Sequence, residues 1–234
     1  MDADSPRTLL AGRVANLRDL GGLPAGDGAV VRQGRLLRSA TLVHHDDAVL
    51  DEVTTTVGAG VYFDLRTDRE VDRDGDARPL VARGWHWHRL PIQDLDPDDD
   101  VDEPAVRRYR RAMPRYLAAA RTIGEHLGRY PVGVVACSLG KDRTGLVVAV
   151  LLRRLGVPLA DIGVDFTLSN ACLARQRRFL PPRWRDARRS IGQVVADDCL
   201  AALTDEVAAG PDPQLRQILL TSGDDGGERG VRLD

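Results

Sequence analysis

The chain has little of several things, and each shortage narrows what it can be. Of its 33 basic residues a single one, Lys141, is lysine and the rest are arginine. Three Trp, four Tyr and three Phe are all its aromatics, so the core has to be built from Leu, Val and Ala. Charge of one sign is not in excess: 33 basic against 35 acidic residues leave a formal −2, which excludes a generally basic nucleic-acid-binding surface. No long apolar run exists. The longest, Leu146 to Leu152, is far below the ~20 residues that a bilayer helix needs. The opening Met1-Asp2-Ala3-Asp4-Ser5-Pro6 is acidic and lacks the basic-then-apolar order of a secretory leader. Three cysteines (Cys137, Cys172, Cys199) are odd in number and show no metal-ligand spacing. Neither a disulfide framework nor a structural metal is expected, and a reducing cytoplasm is the setting this composition suits.

What is present is an ordinary globular composition, 43% apolar and 29% charged. The length suits one domain over residues 1–221, with a core at 12–170, a helical part at 171–221 and a flexible tail at 222–234. Hydrophobic periodicity predicts an alternating α/β chain. Residues 29–31 and 35–38 read as a hairpin turning at Gln33-Gly34. A helix is expected over 46–57, a buried strand over 61–65, and an alternating strand over 85–90 ending at Pro91. The run from Asp94 to Glu103 holds seven carboxylates and reads by composition as a solvated loop. A long helix over 104–128 contains Pro114; a second buried strand covers 130–136; an apolar helix covers 144–155; further helix is expected over 159–209.

The informative stretch is Cys137-Ser138-Leu139-Gly140-Lys141-Asp142-Arg143-Thr144-Gly145. A thiol closes a buried strand, and six residues later an arginine stands where a helix begins. Such a loop can curl its amides around an oxyanion, with the helix N-terminus adding partial positive charge and Arg143 gripping two oxygens through its planar fork. Thiols in such surroundings fall from ~8.5 to roughly 3.5–7.5, which makes a nucleophile. Spacing alone is weak, because arginine is so common: Cys172 and Arg178 repeat it without a strand or a glycine, in a helical stretch, and Cys172 reads as a small buried side chain. A nucleotide-binding loop fails, since Gly140-Lys141 is followed by Asp142 where Ser or Thr is needed.

These residues resemble the signature loop of cysteine-dependent tyrosine and dual-specificity phosphatases, in the form typical of an atypical bacterial tyrosine/serine branch. Asn16 to Gly22, Leu37-Arg38-Ser39-Ala40, Phe63-Asp64-Leu65-Arg66 with Glu70, and Asp165 to Asn170 resemble the same branch. The resemblance implies a cysteine-dependent phosphatase α/β fold, a central mostly parallel sheet flanked by helices, with additional C-terminal helices. It implies that Cys137 attacks phosphorus to form a cysteinyl-phosphate. Arg143 and the loop Ser138, Leu139, Gly140, Lys141 and Asp142 would hold the phosphoryl oxygens, while Thr144 would hydrogen-bond the sulfur. For the proton donor Asp94 comes first, Asp96 second, and Asp142 is a further candidate. One departure is Ala136, where related loops carry His. No metal or cofactor is implied.

The remaining charges have structural readings. Asp64 and Arg66 are expected to brace the loop from beneath; Arg18 and Arg38 are either braces or rim cations. His86 and His88 are expected to pack and His44-His45 to lie at the surface. Arg107, Arg108, Arg110 and Arg111 spread over more than one helix face. Aromatic walls for a phosphotyrosine would come from Tyr62, Tyr109, Tyr116 or Trp184. The substrate is therefore a phosphorylated protein, or alternatively a small phosphomonoester such as a phosphoinositide or phosphorylated biosynthetic intermediate; an inactive phosphate-binding relative is the third reading.

Overall fold

The computed structural model describes residues 7–93, 103–186, 188, 191–204 and 211–222. In chain order β1 (Arg18–Asp19), β2 (Ala29–Val31) and β3 (Leu36–Ala40) lead to α1 (Asp47–Val57), β4 (Val61–Asp64), α2 (Asp68–Asp74), α3 (Arg78–Val81) and β5 (His86–Arg89). Then come α4 (Ala105–Leu127), β6 (Gly133–Cys137), α5 (Asp142–Leu155), α6 (Leu159–Arg175), α7 (Pro182–Arg185), α8 (Ala196–Thr204), α9 (Pro213–Leu219) and β7 (Leu220–Ser222). Local chemistry sets several of the ends. The Asp46 carboxylate accepts from the Val49 amide to start α1. Thr67 and Glu70 form a reciprocal capping box at the start of α2.

The main sheet has the order β1-β3-β6-β4-β5, with β3, β6, β4 and β5 parallel and β1 antiparallel at one edge. Parallel strands need both faces covered, and the strands alternate accordingly. Val61, Phe63, Val135 and Cys137 pack toward the core that holds α4 and α5. Tyr62, Val134 and Ala136 pack on the other side, with Val49, Leu50 and Val53 of α1 and Leu80 of α3. Registers Ala40↔Cys137 and Asp64↔Ala136 bring the carboxyl ends of β3, β6 and β4 level, the edge of such a sheet where ligands bind. Cys137 thus sits at the end of the middle strand, on the face that α5 covers.

The strand and helix expectations hold for α1, β4, β5, α4 and β6, and α4 runs unbroken through Pro114. The hairpin does not form. Both edges of β3 are engaged, by β1 and β6, so β2 pairs instead with β7, Ala29 opposite Ser222 and Val31 opposite Leu220. α5 starts at Asp142, two residues before the expected Thr144. The helical stretch after 159 is interrupted between α7 and α8. His44 and His45 are half-buried, and burial pulls their rings down to about 4 and about 3; His44 Nε2 meets the Phe179 carbonyl at 2.8 Å. Of the two histidines expected to pack, His88 does, its ring centroid 4.4 Å from that of His126, while His86 at the start of β5 is exposed. No helix among the described residues is long and apolar enough to cross a membrane.

Candidate functional site

Between the end of β6 and the start of α5 the chain makes a tight loop, and Gly140 permits it. Its φ is +65°, and a Cβ there would lie 2.3 Å from the Ser39 carbonyl oxygen. Among the described residues the amides of Ser138, Leu139, Gly140, Lys141 and Asp142 donate to no acceptor. Successive unpaired amides at the start of a fourteen-residue helix make an anion cradle. The cavity above them, about 220 Å³, is lined by Cys137, Ser138, Leu139, Lys141, Asp142 and Arg143 together with Glu70, Trp184, Ile191 and Gly192. Cys137, only 3% exposed, forms its floor.

Beneath the loop lies a buried polar brace. The Asn16 amide donates to the Leu139 and Gly140 carbonyls at 3.1 and 2.9 Å. Arg38 donates to the Gly140 carbonyl at 2.8 Å and pairs with Asp165 at 2.6 Å. Arg18 pairs with the other Asp165 oxygen at 3.0 Å and reaches Ser169 Oγ at 3.2 Å. Turning these carbonyls downward, toward the brace, leaves the opposite side of the loop to its amides. Burial pushes the Asp165 carboxyl up, but the guanidiniums of Arg18, Arg38 and Arg7 outweigh it and hold the group well below the ordinary range. Burial and then the Arg18 charge pull Arg38 down to about 10, against the opposing Asp165. Arg18 and Arg38 are therefore braces with no solvent exposure, not rim cations. Asp64 and Arg66 are fully buried and pair with each other at 2.8 Å, but Arg66 reaches the Gly75 carbonyl and Asp64 accepts from Trp87, so this pair ties β4 to the end of α2 and to β5.

Arg143 is aimed by a carboxylate. Its two terminal nitrogens meet the Glu70 oxygens at 2.5 and 2.8 Å, a fork-to-fork pair. Burial pushes Glu70 up, but the bonds from Arg143 and Thr67 bring it down to about 2. In the sequence Glu70 stands only beside the Phe63 to Arg66 stretch, and nothing there discloses its partnership with Arg143, 73 positions on. Arg183 and Trp184 of α7 were likewise unassigned or unplaced by the sequence. Arg183 reaches Ser138 Oγ at 2.5 Å, Asp74 at 3.0 Å and Glu70 at 3.5 Å, and Trp184 Nε1 donates to Ser138 Oγ at 3.1 Å. No local signal ties residues 183–184 to a loop 45 positions earlier.

Lys141 pairs with Asp142 at 3.2 Å and donates to the Gly192 carbonyl at 2.6 Å. Asp142 accepts a 2.8 Å bond from the Tyr109 hydroxyl. Thr144 is buried, and its Oγ1 has no hydrogen-bond partner, so the contact to the Cys137 sulfur is not made in this arrangement. Of the aromatic candidates Trp184 alone lines the cavity; Tyr62 and Tyr116 lie in the core. Asp94 and Asp96 lie outside the described residues.

A model of the tyrosine phosphatase family matches residues 10–210. A Cupriavidus necator chain that carries a tyrosine-protein phosphatase name is 30% identical over 177 residues, 67% of this chain and 61% of that one. The triple specificity protein phosphatase PtpB of Mycobacterium tuberculosis is 31% identical over 200 residues, 69% of each chain. The chain thus spans about two thirds or less of the length of these relatives. The solved Siw14 catalytic core superposes with a TM-score of 0.46 at 12% identity, over 92% of this chain and 94% of that one.

Proposed function

Because the chain belongs to the tyrosine phosphatase family, we propose that it hydrolyses phosphomonoesters through a cysteinyl-phosphate, with aryl phosphates of the phosphotyrosine type as its preferred substrates. The observation that carries this reading is the cradle: unpaired amides from Ser138 to Asp142 surround a cysteine on a cavity floor, beside an arginine already oriented by Glu70.

The phosphate dianion binds to those amides and to Arg143, which hold the three equatorial oxygens and stabilise a loose transition state. Cys137 Sγ attacks phosphorus from the floor, the P–O bond to the leaving group breaks, and a carboxylic acid protonates the departing oxygen. Water then attacks the cysteinyl-phosphate, its proton returns to that carboxylate, and phosphate leaves the thiolate. Thr144 is assigned to the sulfur in this second step, since its buried hydroxyl has its donor free. The cavity holds two described carboxylates. Both Glu70 oxygens are engaged by Arg143, whereas Asp142 meets Lys141 through one oxygen only, and Asp142 is assigned as the proton carrier of this wall. Asp94 is retained as the alternative by its place after β5 in sequence.

Trp184 supports an aryl substrate: its indole is tied to Ser138, the residue next to the nucleophile, and supplies an aromatic surface to the same cavity. The protein-phosphatase names of the relatives support a phosphoprotein over a small phosphomonoester. A panel of phosphopeptides, phosphoinositides and phosphorylated metabolites, run with wild type and Cys137→Ser, tests the reading. Turnover of phosphotyrosyl peptides, lost in Cys137→Ser and unaffected by a chelator, is expected. Activity confined to one metabolite would overturn the phosphoprotein assignment.

A further inference from the structure

We infer that Tyr109 is a positioning residue: its hydroxyl fixes Asp142 in the orientation from which that carboxyl exchanges a proton with the leaving group and then with the attacking water. The inference rests on the phosphatase reading and adds to it a residue from outside the loop.

The placement begins with the helix. Tyr109, Ala112, Met113, Tyr116, Ala120 and Ile123 form the buried stripe of α4, and that stripe packs along α5. Tyr109 is the member of the stripe that lies level with the first turn of α5. Its ring is 3% exposed and stands edge-on to Phe166, with centroids 6.2 Å apart and planes at 87°, so it has little rotational freedom. From that fixed ring the hydroxyl donates to Asp142 Oδ1 at 2.8 Å. The second oxygen, Oδ2, lies 3.2 Å from Lys141 Nζ, and Lys141 is itself tied to the Gly192 carbonyl. A carboxyl group tethered at both oxygens has its plane determined.

Tyr109 is suited to donating and unsuited to carrying the proton. Burial, and then the neighbouring Asp142 charge, push its hydroxyl far up, so it stays protonated at any working pH. The proton balance therefore runs through Asp142 alone. In the first step the thiolate, the phosphomonoester dianion and the Asp142 acid give cysteinyl-phosphate, the alcohol and the Asp142 carboxylate. In the second, water and cysteinyl-phosphate give phosphate and thiolate, and the carboxylate takes the proton back. Both transfers need the same group within ~3 Å of two different oxygens in turn, and a misplacement of about 1 Å costs on the order of a hundredfold. An orienting bond from a rigid ring is what such a group requires.

The test compares wild type, Tyr109→Phe, Asp142→Asn and the double variant on two substrates, a nitrophenyl phosphate with a good leaving group and a phosphoserine peptide with a poor one. Tyr109→Phe keeps the ring and its packing. The expected result is a fall of about tenfold in kcat on the phosphoserine peptide, with KM unchanged and the nitrophenyl rate within about twofold of wild type. Asp142→Asn should lose about a hundredfold on the same peptide, and adding Tyr109→Phe should cost nothing more. Equal losses on both substrates, or additive losses in the double variant, would make Tyr109 a packing residue and overturn the inference. So would an Asp142→Asn enzyme with no leaving-group dependence. Absence of any turnover that Cys137→Ser abolishes would sink the phosphatase reading itself, and the role of Tyr109 with it.

Discussion

At the scale of single residues the site works by tying each charge to fixed partners. Arg143 is useful because Glu70 engages both its terminal nitrogens and holds the guanidinium in the cavity wall. Replacing Glu70 with Gln keeps the shape and one acceptor but removes the charge that fixes the fork. The expected loss in kcat/KM on phosphotyrosyl peptides is about 10- to 100-fold, read by steady-state kinetics, with Cys137 still alkylated by iodoacetamide and protected by phosphate. A wild-type rate in Glu70→Gln would show that Arg143 needs no such anchor. Lys141 takes its sense from the same bookkeeping. The sole lysine lines the cavity, and its ammonium joins Asp142 to the Gly192 carbonyl there. Its position inside the loop was legible in the sequence; its partners were not.

At the scale of elements the strand β6, the loop and the helix α5 form the unit that the sequence discloses best. An apolar run, a glycine needed for positive φ and a helix start all lie within a few residues, so local propensity and tertiary structure agree. Partnerships across long separations were not legible. β2 carries a strand pattern, but its pairing with β7 spans some 190 positions, and β-branched alternation does not name a partner. The brace is the same case: Arg18, Arg38 and Asp165 each look like ordinary charges until β1, β3 and α6 bring them together. Asp165→Asn tests the brace. It leaves two fully buried guanidiniums without their counter-charge, and chemical denaturation should report a loss of about 3–5 kcal/mol. A loss below about 1 kcal/mol would mean that the brace relaxes without the carboxylate.

At the scale of the whole molecule His44, His45, Glu70 and Asp165 make stability depend on pH in one direction, opposed only in the acid range by Asp19, whose carboxyl burial pushes up. Burial sets His44 and His45 at about 4 and about 3, below the ordinary 6.5, so the unfolded chain binds their protons first. Their contribution is complete above pH 6.5 and is lost as pH falls through 4 to 3. Glu70, at about 2 against an ordinary 4.5, contributes stability complete above pH 4.5 and lost toward pH 2. Asp165 acts in the same direction. The urea midpoint should therefore be flat near neutrality and begin to fall below pH 6.5, and replacing both histidines with Gln should reduce the part of that fall above the carboxylate range, leaving the share of His88, which burial also pulls down. A midpoint that rises on acidification would contradict the assignment.

All of this converges on the claim that Cys137 carries the phosphoryl group. Rapid acid quench of the enzyme with a phosphotyrosyl peptide labelled at phosphorus tests it most directly. Label bound covalently, mapped to the peptide containing Cys137 and absent from Cys137→Ser, is the expected result. Undiminished turnover by Cys137→Ser, or label on any other residue, would contradict it.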